Sequence, residues 1–443
     1  MEKVVSRMSN TQHYTEMKDS GIKWIGAVPA SWSVRTLYQL ATRVNNKNTD
    51  LAEQNLLSLS YGKIKRKDIN TNDGLLPASF DGYNVIEAGD IVLRLTDLQN
   101  DHTSLRVGHA TERGIITSAY TTLRPINPAH SRYLYYLIHA FDLKKGFYGM
   151  GSGVRQGLNY DEVKELRIVL PSQKEQDAIV DFLDSQCSKI DTVIREASAT
   201  IEEYEHWKSL TIFEAVTKGL YTPSEMRDSQ VRWIGLIPNS WNCCALKMLT
   251  TKIGSGKTPA GGAEVYSDTG IVFLRSQNIY DTGLQLNDVS YISQEIDEEM
   301  KNTRVQYDDV LLNITGGSIG RCCVYNLKGV SANVNQHVCI IRTDTKKLLP
   351  KYLCYFWNSA AGPMVIGQYQ TGGNRPGLNF EQIGATKIPL CSINEQNEIV
   401  TYLDEKVSTI NKLLSEKLQL IGDLEEYKQS LVYETVTGKR KVV

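Results

Sequence analysis

From Met17 the chain reads MKDSGIKWIGAVPASW, and from Met226 it reads MRDSQVRWIGLIPNSW. Trp24, Ile25, Gly26, Pro29 and Trp32 return as Trp233, Ile234, Gly235, Pro238 and Trp241, all at an offset of 209 (233 − 24). A second block returns at an offset of 220 (375 − 155), where Arg155, Gly157, Leu158 and Asn159 become Arg375, Gly377, Leu378 and Asn379. It runs on through Glu175-Gln176, Ile179-Val180 and Leu183-Asp184 against Glu395-Gln396, Ile399-Val400 and Leu403-Asp404, and closes with Val216-Thr217 against Val436-Thr437. Solenoid repeats run to roughly 20–50 residues, so a period this long marks a two-part module written twice.

With 443 residues, each copy is long enough to bury its own core. Hydrophobic residues make up 41% and charged residues 22%, as in ordinary water-soluble proteins. The first residues, MEKVVSRMSNTQHY, lack an apolar core, and no apolar run reaches the length of a membrane span, so a cytoplasmic chain is expected. Eight cysteines include Cys243-Cys244 and Cys322-Cys323 but no CxxC, which points to reduced thiols used as small hydrophobes rather than to zinc. The net charge is −1, but it is uneven. Residues 172–218 hold 10 acids and 5 bases (−5) and residues 392–443 hold 9 and 7 (−2), which leaves +6 elsewhere. The globular parts are therefore the parts suited to a polyanion.

The joining segments carry heptads. Val180, Cys187, Ile194 and Ile201 share one position, with Leu183, Ile190, Ala197 and Tyr204 three residues on. The second copy repeats the frame with Val400, Val407, Leu414 and Ile421, then Leu403, Ile410, Lys417 and Leu424. Neither stretch contains proline, and about 45 helical residues make a rod of about 65 Å. Each rod has one narrow apolar seam, so the two are expected to pack on each other. Closure of a duplicated chain through such a pair gives antiparallel rods and a pseudo-two-fold axis.

Residues 22–171 and 231–391 read as mixed α and β. Asp90–Thr96 and Asp309–Thr315 are expected strands, and Tyr133–Leu137 and Tyr352–Phe356 are expected to open short helices. The WIGxxPxxW blocks are expected to staple an N-terminal segment onto each core. Between these anchors the copies diverge: residues 97–113 have no counterpart of Gly316-Gly317-Ser318-Ile319-Gly320. A kept framework with divergent loops is expected where each copy binds something different. The loops Gly151–Gly157 and Thr371–Gly377 set an arginine among glycines, which suits either a phosphate or base contact or a structural turn. Gly254-Ser255-Gly256-Lys257-Thr258 lacks the earlier glycine of a phosphate-binding loop, since Thr251 stands there. No GxGxxG after a strand, HExxH, GxSxG, DPPY or NPPF is present, so no catalytic residues and no metal ligands are assigned.

Two divergent domains alternating with two repeated helices resemble the DNA-specificity subunit of Type I restriction-modification systems. The resemblance rests on WIGxxPxxW opening each half, on the Arg-x-Gly-Leu-Asn loop, on Leu170–Asp184 and Leu390–Asp404 opening each rod, and on Glu-x-Val-Thr at Glu214 and Glu434. Cys391 departs from the pattern, where the first copy has Pro171, and a looser helix start is expected there. The resemblance implies an α+β chain with a first target-recognition domain in residues 1–171, a spacer helix in 172–218, a second domain in 219–391 and a second spacer helix in 392–443. It implies a non-catalytic subunit whose domains each read one half of a bipartite, asymmetric double-stranded DNA site. The helices would set the spacing and bind two modification (methyltransferase) subunits, with Glu214, Thr217, Glu434 and Thr437 as partner-binding residues. S-adenosylmethionine, ATP and Mg2+ would be carried by those partners and by added restriction subunits, not by this chain. Residue type and loop placement nominate Arg155, Arg375, Ser60, Tyr61, Lys63, Arg275, Gln277, Asn278, Thr315 and Ser318 for DNA contact. The alternative expectations are a stand-alone sequence-specific DNA-binding or regulatory protein built from the same module and, from a different class, an enzyme with an unfamiliar site.

Overall fold

The computed structural model describes residues 13–70, 77, 79–98, 101, 103–150, 157–221, 225–370 and 377–442. The chain forms two compact units, one of residues 1–197 with 419–443 and one of residues 198–418. The division falls inside both long helices, so each unit owns a piece of each.

In the first unit an antiparallel four-stranded sheet holds β1 (Ala41–Arg43), β2 (Ile91–Leu93), β3 (Val107–His109) and β4 (Thr121–Pro125) in the order β1-β4-β2-β3. Helix α1 (Ser131–Leu143) packs on it through Tyr133, Leu134 and Leu137. The second unit repeats this with β5 (Thr250–Ser255), β6 (Val310–Asn313), β7 (Cys322–Val324) and β8 (Val338–Thr343) in the order β5-β8-β6-β7, covered by a helix at Pro350–Asn358. In both, the WIGxxPxxW block closes a small antiparallel ribbon, Met17–Asp19 with Ala27–Pro29 and Met226–Asp228 with Leu236–Pro238. Trp32 and Trp241 are fully buried, so the block staples the start of each unit to its core as the sequence suggested.

Buried polar contacts are duplicated as well. Asp90 accepts from Nε and Nη2 of Arg124, and Asp309 from the same two nitrogens of Arg342. The Tyr133 hydroxyl donates to the carbonyls of Val169 and Val436, and that of Tyr352 to those of Pro389 and Val216. These tyrosines tie the sheet-covering helix, the strand before one long helix and the end of the other long helix to a single point.

The frame agrees but the periphery does not. The first unit adds two ribbons, Leu57–Ser60 with Lys63–Arg66 and Asn84–Ile86 with Gly114–Ile116. The second adds a three-stranded sheet in which Ile271–Leu274 pairs antiparallel with Ser290–Ile292 and parallel with Ala332–Val334.

The long helices are α2 (Gln173–Lys218) and α3 (Ile393–Val436). Each begins with a serine cap, Ser172 accepting from the amide of Glu175 and Ser392 from that of Glu395. Buried Gln176 donates to the carbonyl of Pro171, and buried Gln396 to that of Cys391. This side-chain lock is indifferent to proline, so the start at Cys391 is built like that at Pro171 and the expected loosening is not seen. Both helices end at a glycine of positive φ, Gly219 at +81° and Gly438 at +71°, the residue that accepts a left-handed cap. Helix α3 therefore stops at Val436, short of the 392–443 span expected for it.

No heptad position named from the sequence is exposed. Within the first unit Ile179, Leu183, Cys187 and Ile190 of α2 share a core with Leu431, Val432 and Val436 of α3. Lys428 of α3 bonds Asp191 of α2 at 2.5 Å, while Val436 lies by Val169, just before α2 begins. Numbering that falls along one helix as it rises along the other makes the pair antiparallel. The second unit shows the same, with Lys208 on Asn411 at 3.2 Å and Val216 beside Pro389.

Candidate nucleic-acid interface

Arg155 and Arg375 lie outside the described residues, as do the loops that carry them. Just after them, the Leu158 amide donates to the carbonyl of Leu95 and the Leu378 amide to that of Ile314.

In the first unit, Ser60, Tyr61 and Lys63 sit together at the tip of the Leu57–Arg66 hairpin. Tyr61 and Gly62 have φ of +47° and +74°, the signature of a two-residue turn of type I′. Tyrosine is an unusual occupant of a left-handed position, and this one is 76% exposed. The hairpin also presents exposed Lys65 and Lys67, which the sequence reading passed over although LysIleLysArgLys was visible there. A strained, exposed aromatic among lysines can stack on a base while the lysines neutralise phosphates.

In the second unit Gln277, Tyr280, Gln285, Asn287 and Asp288 line an open notch of about 560 Å³, and Arg275 lies beside it, reaching the Asp288 carbonyl at 3.5 Å. The Gln277 amide donates to the Asp288 carboxylate at 2.7 Å, and Arg275 stacks over Tyr266. Asn278 requires a correction. It is buried, its oxygen accepts from the Arg275 amide, and its NH2 donates to the carbonyls of Gln285 and Asp288, so it shapes the notch and has nothing left for DNA.

Thr315 and Ser318 belong to a second polar cluster. The Thr315 hydroxyl meets His337 Nδ1 at 2.6 Å, His337 Nε2 meets the Gln336 amide at 3.2 Å, and Gln336 bonds Thr258. Ser318 accepts from buried Asn313 at 3.1 Å. Thr258 belongs to the segment that mimicked a phosphate-binding loop. It passes so near the Val334 carbonyl that a side chain at Gly256 would collide with it, its Cβ lying 1.6 Å from that oxygen. Three loops therefore converge with exposed Lys257 at their edge. Gln336 and His337 were not singled out from sequence, and Lys257 was named only in the incomplete phosphate-loop motif, because nothing local joins positions 80 residues apart (337 − 257).

The first unit fills the matching place with a buried cation. Arg106 is fully buried, donates to the carbonyls of Thr96, Asp97 and Asp101, and contacts the Tyr148 hydroxyl. Its backbone amide binds Asp142, whose carboxyl burial pushes up to about 6. Arg106 moulds the loop that in the second unit is moulded by glycines.

Between hairpin, α1 and the helix pair the first unit has a cavity of about 560 Å³, lined by Lys63, Arg132, Arg195 and Lys428 with Asp184 and Asp191. His109 and His139 also line it, on either side of Tyr135. Burial lowers both to about 4, aided at His109 by Arg132 and at His139 by Lys428 and Arg132. The corresponding cavity of the second unit, about 660 Å³, holds Lys351 against Asp281, Asp308 and Asp404.

Among the expected partner-binding residues, Thr217 and Thr437 are fully buried and donate to the carbonyls four residues back, of Phe213 and Tyr433. They secure the last helical turn and present nothing to a partner, which corrects that assignment. Glu214 and Glu434 remain on the surface, engaged with Lys218 and Arg440. Exposed Trp207 and Leu210 were missed because they lie off the heptad seam.

Among the described residues no cluster of side chains suits a metal, and no helix is long and apolar enough to cross a membrane. All eight cysteines are free thiols, six of them buried, as expected of small hydrophobes.

A chain from a solved structure described as the basis of complex assembly and conformational transition of the type I R-M system has a similar fold, with a TM-score of 0.65 at 15% identity over 92% of this chain and 98% of that one. The EcoBI type I restriction enzyme specificity subunit of Escherichia coli is 23% identical over 286 residues, 62% of this chain and 59% of that protein, so this chain spans under two thirds of its length. The putative MjaX specificity subunit of Methanocaldococcus jannaschii is 24% identical over 94% of this chain and 96% of its own. The family model for the Type I restriction modification DNA specificity domain matches twice, at residues 29–203 and 238–421, one match for each copy of the repeat, and the chain belongs to that family.

Proposed function

We propose that the chain is the non-catalytic DNA-recognition subunit of a Type I restriction-modification complex, each unit reading one half of a bipartite, asymmetric site. One observation carries this: the two units share a buried frame, down to Asp90–Arg124 and Asp309–Arg342, while their exposed loops differ in shape and charge. Identical frames with unlike loops read unlike sequences. In the first unit the contacts are Tyr61, Lys63, Lys65 and Ser60 with Arg155, and in the second Arg275, Gln277, Thr315, Ser318 and Lys257 with Arg375. A bidentate arginine or glutamine contact discriminates between bases by about 1–3 kcal/mol.

The antiparallel helices set the distance between half-sites and carry two modification subunits, which bring S-adenosylmethionine; restriction subunits bring ATP and Mg2+ chemistry. The docking face is a stripe of exposed Glu203, Trp207, Leu210 and Glu214, repeated at an offset of 220 (423 − 203) as exposed Asp423 and Ser430 with half-buried Tyr427 and Glu434. Acid, aromatic and acid return at the same spacing, and Tyr427 also packs against the core of its own unit. Methylome sequencing of a host expressing the chain with its methyltransferase partner tests the reading. One bipartite methylated motif is expected, and exchanging residues 231–380 alters one half only. A motif that is not bipartite, or one changed in both halves, overturns it.

A further inference from the structure

The repeat places Lys208 and Lys428 at equivalent positions of the two long helices, and each reaches across to the partner helix at equivalent positions, Asn411 and Asp191. The bases match but the acceptors differ in charge. Asp191 neutralises Lys428 at 2.5 Å, whereas Asn411 offers Lys208 only an amide oxygen at 3.2 Å. Lys208 is the more enclosed of the two, its side chain 14% exposed against 29%, so it has the greater need of a counter-charge. The missing carboxylate comes from outside the helices. Asp281, at the tip of the ribbon formed by Ile279–Tyr280 and Gly283–Leu284, bonds the Lys208 ammonium at 2.8 Å.

We propose that Asp281 is a positioning residue, clasping the DNA-reading part of the second unit to its helix pair and so holding the Arg275–Asp288 notch in its reading orientation. The inference rests on the reading that this unit recognises one half-site. Asp281 lies in the same ribbon as the notch. Three residues separate it from Gln277, and the intervening turn is held, with buried Asn278 bonding the Gln285 carbonyl and Arg321 stacked on Tyr280. A displacement of the tip is therefore passed to the notch and is not absorbed between them. In the first unit the helix supplies its own acid, and the corresponding hairpin tip carries Tyr61 and Lys63 instead.

The two roles of Asp281, counter-charge and clasp, separate in one double-mutant series read with the full chain and its methyltransferase partner. D281N should lower the melting temperature and reduce discrimination at the second unit's half-site by roughly tenfold, about one good base contact, leaving the other half unchanged. Adding N411D returns a carboxylate to Lys208 from the helix, as Asp191 does for Lys428. The melting temperature should recover while half-site discrimination does not, because the tip stays unclasped. Unchanged discrimination in D281N, recovery of discrimination together with melting in D281N/N411D, or failure of N411D to restore melting each overturns the proposal. Absence of any bipartite recognition by the unsubstituted chain would instead overturn the functional reading on which it rests.

Discussion

The two cavities between sheet-covering helix and long helices are built on the same positions, and their chemistry is opposite. The first unit sets four bases against two acids, Lys63, Arg132, Arg195 and Lys428 with Asp184 and Asp191, for a balance of +2. The second sets Lys351 against Asp281, Asp308 and Asp404, for −2. Tyr136 donates to Asp184 and Tyr355 to Asp404, so the contact that seats the covering helix on α2 or α3 is the same. Around it His109, Tyr135 and His139 give way to Val324, Cys354 and Asn358. Duplication kept what fixes the backbone and released what lines the space, as expected when folding constrains buried polar pairs and leaves open walls free.

The largest test of that comparison removes the shared buried pair. Asp309→Ala strips both acceptors from Arg342 and should cost about 3–5 kcal/mol in the second unit. Asp90→Ala should cost less, because Arg124 is 43% exposed against 26% for Arg342 and can turn to water. Hydrogen exchange resolved by residue distinguishes the units, and equal losses would show that the two frames are not loaded differently.

Acidification should separate the units next. His109 and His139 hold folded values of about 4 against an ordinary 6.5, so the unfolded chain binds their protons first. Their stabilisation is complete above about 6.5 and is lost as pH falls from there to about 4, by about 2–3 kcal/mol for each ring. Asp142 acts the other way, since a carboxyl raised to about 6 from 3.8 binds its proton in the folded state first and gains stability as pH falls through 6. Two rings against one carboxyl leave the first unit weaker at pH 5 than at pH 7. His139→Asn, which copies Asn358, should bring the remaining pair close to cancellation and flatten that slope. A first unit whose protection is the same at pH 5 and 7 would contradict the burial of the rings.

A smaller difference lies at the paired tryptophans. Trp241 Nε1 donates to Glu395 at 3.0 Å, while in the first unit the matching Glu175 is taken by the Tyr14 hydroxyl and Trp32 Nε1 has no partner among the described residues. Trp241→Phe should therefore cost about 1 kcal/mol more than Trp32→Phe, the value of one hydrogen bond, in paired denaturant melts. Least of all, Tyr61→Gly should stabilise the hairpin by about 1 kcal/mol by relieving its left-handed backbone while weakening DNA binding by the first unit. A variant that is both more stable and fully DNA-competent would return Tyr61 to an ordinary turn residue.

The duplication, the long helices and their seam, the stapling tryptophans and the mixed character of each unit were all legible in the chain, because each is a matter of spacing along it. Heptads and the offsets 209 and 220 are local or self-referential patterns that need no knowledge of what folds against what. Asn278 and the threonines of the helix ends were misread for the converse reason. A polar side chain in a loop or at a helix terminus looks the same whether it faces solvent or caps a carbonyl, and only burial decides. Arg106 illustrates the same point, since among exposed-looking polar residues nothing marks it as the most enclosed arginine of its unit.

The amino-acid order alone thus determined that there are two units, that they share a frame, and that two apolar seams must find partners. Tertiary structure alone decided which polar groups are consumed in building that frame and which remain at the surface. It also decided that the Lys208 ammonium, short of a carboxylate on its neighbouring helix, takes one from a ribbon 73 residues away (281 − 208). The physical reason is range: apolar periodicity acts through the backbone's own repeat, whereas a charge is satisfied by whatever oxygen the fold brings within 3 Å, however distant in the chain.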